Sequence, residues 1–260
     1  MSLKNKNYYT YINNKTIPIV FIHGVGLDRN MWTPQINFFR KYSTLTYDLL
    51  GHGKTPFNED KIIIEDYTHQ LISLIEDLKI SKLHLVGFSI GSLIAMDFAA
   101  NFNNKLSSLT LIATTYKRNQ KQRQEVIDRV NLAKSNKPIS KLALKRWFTD
   151  EYLEKNPKIY EEFMRILTKE PEEQKNFIKA YELFAHYKDD IEKIKKINTR
   201  TLVMTGSIDP GSTPEMSKNL SSDLKNSQYI EINKGKHLCS IECSDDVNIN
   251  IEKFIINDPN

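Results

Sequence analysis

Residues 82–101, KLHLVGFSIGSLIAMDFAAN, are the stretch that decides how this chain folds. The stretch begins with apolar residues typical of a buried strand and ends with residues that favour a helix. Between them, Gly87-Phe88-Ser89-Ile90-Gly91 has the G-x-S-x-G pattern of a sharp strand-to-helix turn. Such a turn exposes the central hydroxyl above the sheet, beside the free N–H groups of the following helix. We predict that Ser89 is a nucleophile, and an ordinary structural turn is the alternative.

The composition is that of an ordinary globular protein. The chain has 260 residues, of which 40% are hydrophobic and 27% charged, and this length suits one α/β domain with an insertion. The net charge of +5 is spread along the sequence, so we expect neither a nucleic-acid nor a membrane partner. The first ten residues are polar and do not resemble a secretory signal. We therefore expect a cytoplasmic protein in which Cys239 and Cys243 are reduced thiols.

Strand and helix patterns alternate over most of the chain. Besides the strand before Ser89, strands are predicted at 7–13, 18–22, 43–47, 106–112, 201–205 and 228–232. Helices are predicted after Ser89 and at 31–41, 64–78, 214–220 and 244–255. This alternation predicts the α/β class, with a mostly parallel central sheet covered by helices on both faces.

Residues 116–197 break the alternation. This segment is charged and has no strand runs, and it contains amphipathic helix patterns such as 123–134 and 157–167. We interpret it as a helical cap inserted into a core formed by residues 1–115 and 198–260. The basic runs at its ends are expected to be solvated helix faces.

Two further residues could activate a serine nucleophile. A serine needs a positioned base, and the base needs an acid to orient it. Asp209 follows the strand predicted at 201–205, and His237 follows the strand predicted at 228–232. Either residue alone would be interpreted as a turn or surface residue. Because the carboxyl ends of parallel strands meet at one edge of a sheet, the order Ser89, Asp209, His237 predicts a catalytic triad.

The loop His23-Gly24-Val25-Gly26 follows the strand predicted at 18–22. We predict that the N–H groups of Val25 and Ile90 form an oxyanion hole, and that His23 shapes the loop. The glycine spacing does not match the dinucleotide-binding pattern, so no nucleotide cofactor is expected. Two cysteines do not make a four-ligand zinc site, and no metal is expected.

Several motifs together resemble one known family, the serine hydrolases of the α/β-hydrolase fold. They are HGVGLDRNMW (23–32), YDLLGHGKT (47–55), GFSIGS (87–92), TGSIDPGSTPEM (205–216) and KHLCSIE (236–242). Within the fold, the chain is most similar to the 3-oxoadipate enol-lactonase group, through RWFT (146–149), DPGSTP (209–214) and His237-Leu238 with Ile241-Glu242.

The resemblance implies Ser89 as nucleophile, His237 as base and Asp209 as acid, with Val25 and Ile90 supplying the oxyanion hole. It also implies a cap over the site, from which Arg146 or Trp147 reaches the substrate. A surface charge is the favoured interpretation of Arg146, and a position in the cap core is equally compatible with Trp147. Phe88, beside the nucleophile, is a third candidate for substrate contact.

The expected reaction is hydrolysis of a small carboxylic ester or enol-lactone through an acyl-enzyme, without a cofactor. A carbon–carbon bond hydrolase is disfavoured because Leu238, and not an aromatic residue, follows the histidine. The same motifs are compatible with a perhydrolase and with a non-catalytic ligand sensor of this fold. The oligomeric state is left open.

Overall fold

The strand predicted before Ser89 lies at the centre of a seven-stranded sheet in the computed structural model, which describes residues 7–135 and 140–256. The strands are β1 (Tyr9–Ile12), β2 (Ile19–Ile22), β3 (Thr44–Tyr47), β4 (Leu83–Phe88), β5 (Leu106–Ile112), β6 (Thr201–Gly206) and β7 (Ser227–Ile232). Their order in the sheet is β1-β3-β2-β4-β5-β6-β7. Only β1 runs antiparallel to its neighbour, so the predicted mostly parallel sheet is confirmed.

Both faces of the sheet are covered because its inner strands are apolar on both sides. Val20 and Ile22 of β2 pack into one hydrophobic cluster, whereas Ile19 and Phe21 pack into another on the opposite face. Successive side chains of a strand point to opposite faces, so an uninterrupted apolar strand needs a layer of helices on each side.

The helices of the two layers flank this sheet. They are α1 (Thr33–Phe38), α2 (Ile64–Asp77), α3 (Ile90–Asn101), α10 (Pro214–Asp223), α11 (Cys239–Glu242) and α12 (Ser244–Ile256). The apolar residues of α2, α3 and α10 belong to the first cluster and those of α12 to the second. α3 is buried along almost its whole length, which explains why its sequence is apolar without a polar face.

Six helices lie between β5 and β6 in the described part of the chain. They are α4 (Gln120–Lys134), α5 (Ser140–Trp147), α6 (Asp150–Lys155), α7 (Pro157–Leu167), α8 (Pro171–His186) and α9 (Ile191–Lys195). The division into a core (1–115 and 198–260) and a cap (116–197) stays a prediction. Residues 1–6, 136–139 and 257–260 of those segments lie outside the described residues.

The helix predicted at 31–41 is shorter than expected. A 3₁₀ turn, Arg29–Trp32, precedes α1, which covers only Thr33–Phe38. Pro34 stands in the first turn of α1, where its missing N–H leaves no hydrogen bond broken. The α-helix therefore starts beside the proline and does not continue from Met31.

No helix within the described residues is both long enough and apolar enough to span a membrane.

Candidate active site

Ser89 sits in the turn between β4 and α3. Its backbone has φ 56° and ψ −117°, a conformation that costs free energy in any residue with a Cβ. The turn is tight because both neighbouring glycines are in close contact with backbone. A Cβ on Gly87 would lie 2.3 Å from the carbonyl oxygen of Gly91, and a Cβ on Gly91 would lie 2.4 Å from that of Ile22. Only glycine fits at either position, so the motif is a requirement of this turn.

The structure brings the three predicted catalytic side chains together. His237 Nε2 lies 3.3 Å from Ser89 Oγ, and His237 Nδ1 lies 2.8 Å from Asp209 Oδ2. The Asp209 carboxylate accepts a hydrogen bond from the Nδ1–H of His237, which leaves Nε2 as the acceptor for the serine hydroxyl. All three residues are buried, with 4%, 3% and 8% of Ser89, Asp209 and His237 exposed.

Backbone donors hold the acid in place. Asp209 Oδ1 accepts hydrogen bonds from the N–H groups of Gly211 (2.8 Å) and Ser212 (3.0 Å). Charge-assisted bonds of this kind fix the orientation of a carboxylate. Oδ2 therefore remains directed at His237.

The loop that carries His237 is tied to the end of α5. The Leu238 N–H donates to the Trp147 carbonyl at 3.0 Å. The Glu242 carboxylate accepts from both the N–H and the hydroxyl of Thr149, and from the Lys236 N–H at 3.3 Å. The candidate base and the helix bearing Arg146 and Trp147 are thus held by one hydrogen-bond network.

Two N–H groups are available beside the serine. Ile90 is the first residue of α3, so its N–H has no partner within the helix. The Val25 N–H donates to no acceptor among the described residues. The loop lies close to the nucleophile, since a Cβ on Gly24 would be 3.5 Å from Ser89 Cβ. Within the part of the chain that the structure describes, both predicted oxyanion donors therefore lie close to Ser89 without a hydrogen-bond partner.

His23 fixes this loop as a neutral ring. Its Nδ1 contacts the Gly24 carbonyl at 2.8 Å, and its Nε2 accepts the Leu49 N–H at 3.0 Å. Burial lowers the pKa of His23, which favours the uncharged form that can accept from Leu49. The ring is hydrogen-bonded to Gly24 of this loop and to Leu49 of the loop after β3, in keeping with the shaping role predicted for it.

A cavity opens above Ser89 and His237, and the three predicted substrate contacts line it. Phe88 packs with its ring centroid 5.0 Å from that of His237. Trp147 lines the cavity and also packs edge-on against Phe163 of α7, so it contributes to the packing between the helices that follow β5 as well. Arg146 is partly buried in the cavity wall, and a Cβ on Gly211 would lie 4.0 Å from its Cδ. The favoured interpretation of Arg146 as a surface charge is therefore wrong.

Sequence reasoning missed four polar residues of this cavity. Arg129 of α4 donates from Nε to the Tyr181 hydroxyl of α8 at 3.1 Å. Thr115 and Ser212 contribute buried hydroxyls without a hydrogen-bond partner among the described residues. Arg129 and Tyr181 lie outside every motif, and the packing of α4 against α8 brings them to the site. Thr115 and Ser212 lie on the loops after β5 and β6, and Ser212 belongs to the DPGSTP motif (209–214), but the motif assigns it no role. Within the described residues, no group of three or more His, Cys, Asp and Glu side chains is arranged to hold a metal ion.

Comparisons with known proteins agree with this architecture. Residues 17–242 match the family model described as alpha/beta hydrolase fold. The chain is 28% identical to (E)-2-((N-methylformamido)methylene)succinate hydrolase of Acinetobacter baylyi, an alignment covering 98% of this chain and 96% of that protein. It is 25% identical to 3-oxoadipate enol-lactonase 2 of the same organism, with 91% and 87% covered.

Among solved structures, the enol-lactonase from Burkholderia xenovorans LB400 has the same fold. It superposes with a TM-score of 0.89 at 22% identity, over 98% of each chain. The family match extends from β2 to α11 and includes the Ser89 turn, Asp209 and His237. The chain therefore belongs to the alpha/beta hydrolase fold family, in which it is close to the enol-lactonases.

Proposed function

We propose that this protein is a serine hydrolase that cleaves a small carboxylic ester or enol-lactone through an acyl-enzyme. The observation that carries the proposal is the continuous contact from Ser89 through His237 to Asp209, next to two unpaired N–H groups and an apolar cavity. The two Acinetobacter relatives act, by their names, on derivatives of dicarboxylic acids, one as a hydrolase and one as a lactonase.

The reaction follows from the geometry in two halves. Ser89 Oγ attacks the substrate carbonyl as His237 Nε2 takes the hydroxyl proton, and the Val25 and Ile90 N–H groups bind the oxyanion. The imidazolium then gives its proton to the leaving alcohol or enol oxygen, which leaves an acyl-serine. Water, deprotonated by His237 Nε2, then attacks the acyl carbon, and the imidazolium returns that proton to Ser89 Oγ as the acyl–Oγ bond breaks and the carboxylic acid leaves. Asp209 keeps Nδ1 protonated throughout.

In this proposal, Arg146 provides a positive charge that can bind a carboxylate of the substrate. Its guanidinium lies in the cavity wall near the Asp209 loop. A substrate that bears a carboxylate away from the scissile bond would place that carboxylate against Arg146. Trp147 and Phe88 would then contact its apolar part.

Turnover of a small substrate panel tests the proposal. The panel contains 4-nitrophenyl acetate, 4-nitrophenyl butyrate and a five-membered enol-lactone, assayed with the wild type, Ser89→Ala and Ser222→Ala. We expect Ser89→Ala to lower kcat by about 10⁴-fold or more, because the remaining site has no nucleophile. Ser222→Ala should match the wild type, since Ser222 is exposed on α10.

Equal turnover by Ser89→Ala and the wild type would contradict the proposal.

Carbon–carbon bond hydrolysis and perhydrolysis use the same triad, so two further assays accompany the panel. Cleavage of a vinylogous 1,5-diketone would identify the first activity. Peroxyacid formed on addition of hydrogen peroxide would identify the second.

A further inference from the structure

Two arginines from different helices meet in the wall of the same cavity. Arg129 comes from α4 and Arg146 from α5, and both line the cavity with Ser89 and His237. Tyr181 of α8 lines the same cavity, and its hydroxyl accepts from Arg129 Nε at 3.1 Å. Tyr181 also raises the pKa of Arg146, so it lies close to that side chain as well. Three helices thus converge to hold two guanidinium groups close to each other.

The charge of this pair is not balanced by the protein. Among the described residues, neither guanidinium forms an ion pair with a carboxylate, and no Asp or Glu lines the cavity. The carboxylate of Asp209 is already occupied by His237 and two backbone N–H groups. Burial lowers the pKa of Arg146 and the charge of Arg129 lowers it further, whereas Tyr181 and the Asp209 carboxylate offset only part of this effect. Like charges in a partly apolar cavity destabilise the protein unless an anion joins them.

Two other arginines of the predicted cap, Arg118 and Arg123, form different hydrogen bonds. Arg118 donates to the carbonyls of Phe184 and Tyr187, and its guanidinium stacks 4.9 Å from the Phe184 ring centroid. Arg123 donates to the carbonyls of Arg118 and Tyr187. These two side chains donate to backbone carbonyls, although Nη1 of Arg118 has no partner among the described residues. Arg129, in contrast, donates only to the Tyr181 hydroxyl among the described residues, and no backbone carbonyl there accepts from Arg146.

The cavity also offers unused hydroxyl groups. Thr115 Oγ1 and Ser212 Oγ are buried and have no partner among the described residues. Buried polar groups in native proteins are nearly always hydrogen-bonded, and a ligand supplies the partner when the protein does not. The two hydroxyls add donors for substrate oxygen atoms beside the two guanidinium groups.

We propose that Arg129 and Arg146 form a double anion site that selects substrates bearing two carboxylate groups besides the scissile ester or lactone. The inference rests on the hydrolase function proposed above and names its substrate class. Each guanidinium binds one carboxylate through paired hydrogen bonds, and Tyr181 fixes the distance between them. Arg146 holds the carboxylate nearer the Asp209 loop, and Arg129 holds the second.

A series of esters that differ only in charge tests the site. The substrates are 4-nitrophenyl butyrate, mono-4-nitrophenyl glutarate and mono-4-nitrophenyl tricarballylate, which carry no, one and two free carboxylates. In the wild type, kcat/KM should rise with each added carboxylate. Arg129→Gln should lower kcat/KM for the doubly charged ester by about tenfold to a hundredfold, as expected for loss of one charged hydrogen-bond partner. The neutral ester should be unaffected.

Three variants serve as comparisons. Arg146→Gln should reduce turnover of both charged esters, and Arg129→Lys should recover part of the loss because it restores the charge. Arg165→Gln, at an exposed position of α7, should match the wild type with every ester. Equal losses on all three esters in Arg129→Gln would show a structural role and overturn the proposal. So would a wild-type preference for the neutral ester.

Ligand binding to a variant without the nucleophile tests this inference independently of the proposed function. Titration calorimetry with glutarate and butyrate on Ser89→Ala requires no catalysis. Glutarate should bind about tenfold or more tightly than butyrate, and Arg129→Gln in the same background should remove the difference. If none of the three esters is hydrolysed but glutarate is still preferred, only the proposed function fails. If the esters are hydrolysed and glutarate is not preferred, only the double anion site fails.

Discussion

At the scale of single residues, Ser89 combines a reactive position with a strained backbone. Its φ of 56° lies in the region that favours glycine. The surrounding contacts impose this conformation, because Gly91 packs against the Ile22 carbonyl and the Ser89 N–H donates to the Ile112 carbonyl at 2.9 Å. The strain belongs to the Cβ and not to the hydroxyl, so it can be measured separately from catalysis.

Comparison of Ser89→Gly with Ser89→Ala makes this measurement. Both variants lack the hydroxyl, but only glycine removes the Cβ. Relief of about 1–3 kcal/mol of strain exceeds the 0.5–1 kcal/mol that glycine costs through its entropy, so Ser89→Gly should be the more stable by about 1 kcal/mol. Urea unfolding gives the free energies.

The matched pair for this comparison is Glu125→Gly and Glu125→Ala, on the exposed face of α4. There the order should reverse, with glycine less stable by about 1 kcal/mol. A lower stability for Ser89→Gly than for Ser89→Ala would show that the turn is not strained.

At the scale of elements, the loops after β2 and β3 support each other through buried histidines. His23 accepts the Leu49 N–H, and the ring of His52 lies with its centroid 5.3 Å from that of His23. Burial lowers the pKa of both rings below the ordinary 6.5. For His52, the neighbouring His23 and Lys169 lower it further, whereas Asp48 and Asp28 partly offset the effect of burial on His23. The loop bearing Val25 is thus built on two neutral rings.

The pKa values of these histidines predict a loss of stability in acid. As the pH falls below about 6.5, the unfolded chain takes up protons on both rings, whereas the folded protein takes them up only at lower pH. The unfolded state then binds more protons, so the free energy of unfolding falls as the pH falls from about 7 to about 5. Each histidine contributes up to about 1.4 kcal/mol per pH unit.

Urea unfolding across this pH range, with His52→Gln and His69→Gln, checks the prediction. His52→Gln removes one buried ring and should make the dependence on pH shallower. His69 is exposed on α2, so His69→Gln should keep the wild-type slope. An unchanged slope in His52→Gln would mean that this ring is not the source of the acid sensitivity.

At the scale of the whole molecule, local patterns predicted the sheet and the order of the triad residues. Each of those features depends on a few adjacent residues, such as the apolar run of β4 or the glycines around Ser89. The environment of Arg146 was not predictable, because it depends on how α4, α5 and α8 pack. Arg129 and Tyr181 were missed for the same reason. Thr115 and Ser212 lie on the loops after β5 and β6, and their sequence does not show that their hydroxyls are buried without a partner. The start of α1 was misplaced because the effect of Pro34 on the helix was overlooked.

The central claim is that Ser89 is an activated nucleophile, and covalent labelling with a fluorophosphonate tests it most directly. The wild type should bind one equivalent of probe, located on Ser89 by peptide mass, whereas Ser89→Ala should not react. His237→Ala should react at least about 10³-fold more slowly, since the serine then lacks its base. Rapid labelling of Ser89→Ala, or no labelling of the folded wild type, would contradict the account. The second result would favour a ligand sensor with the same fold.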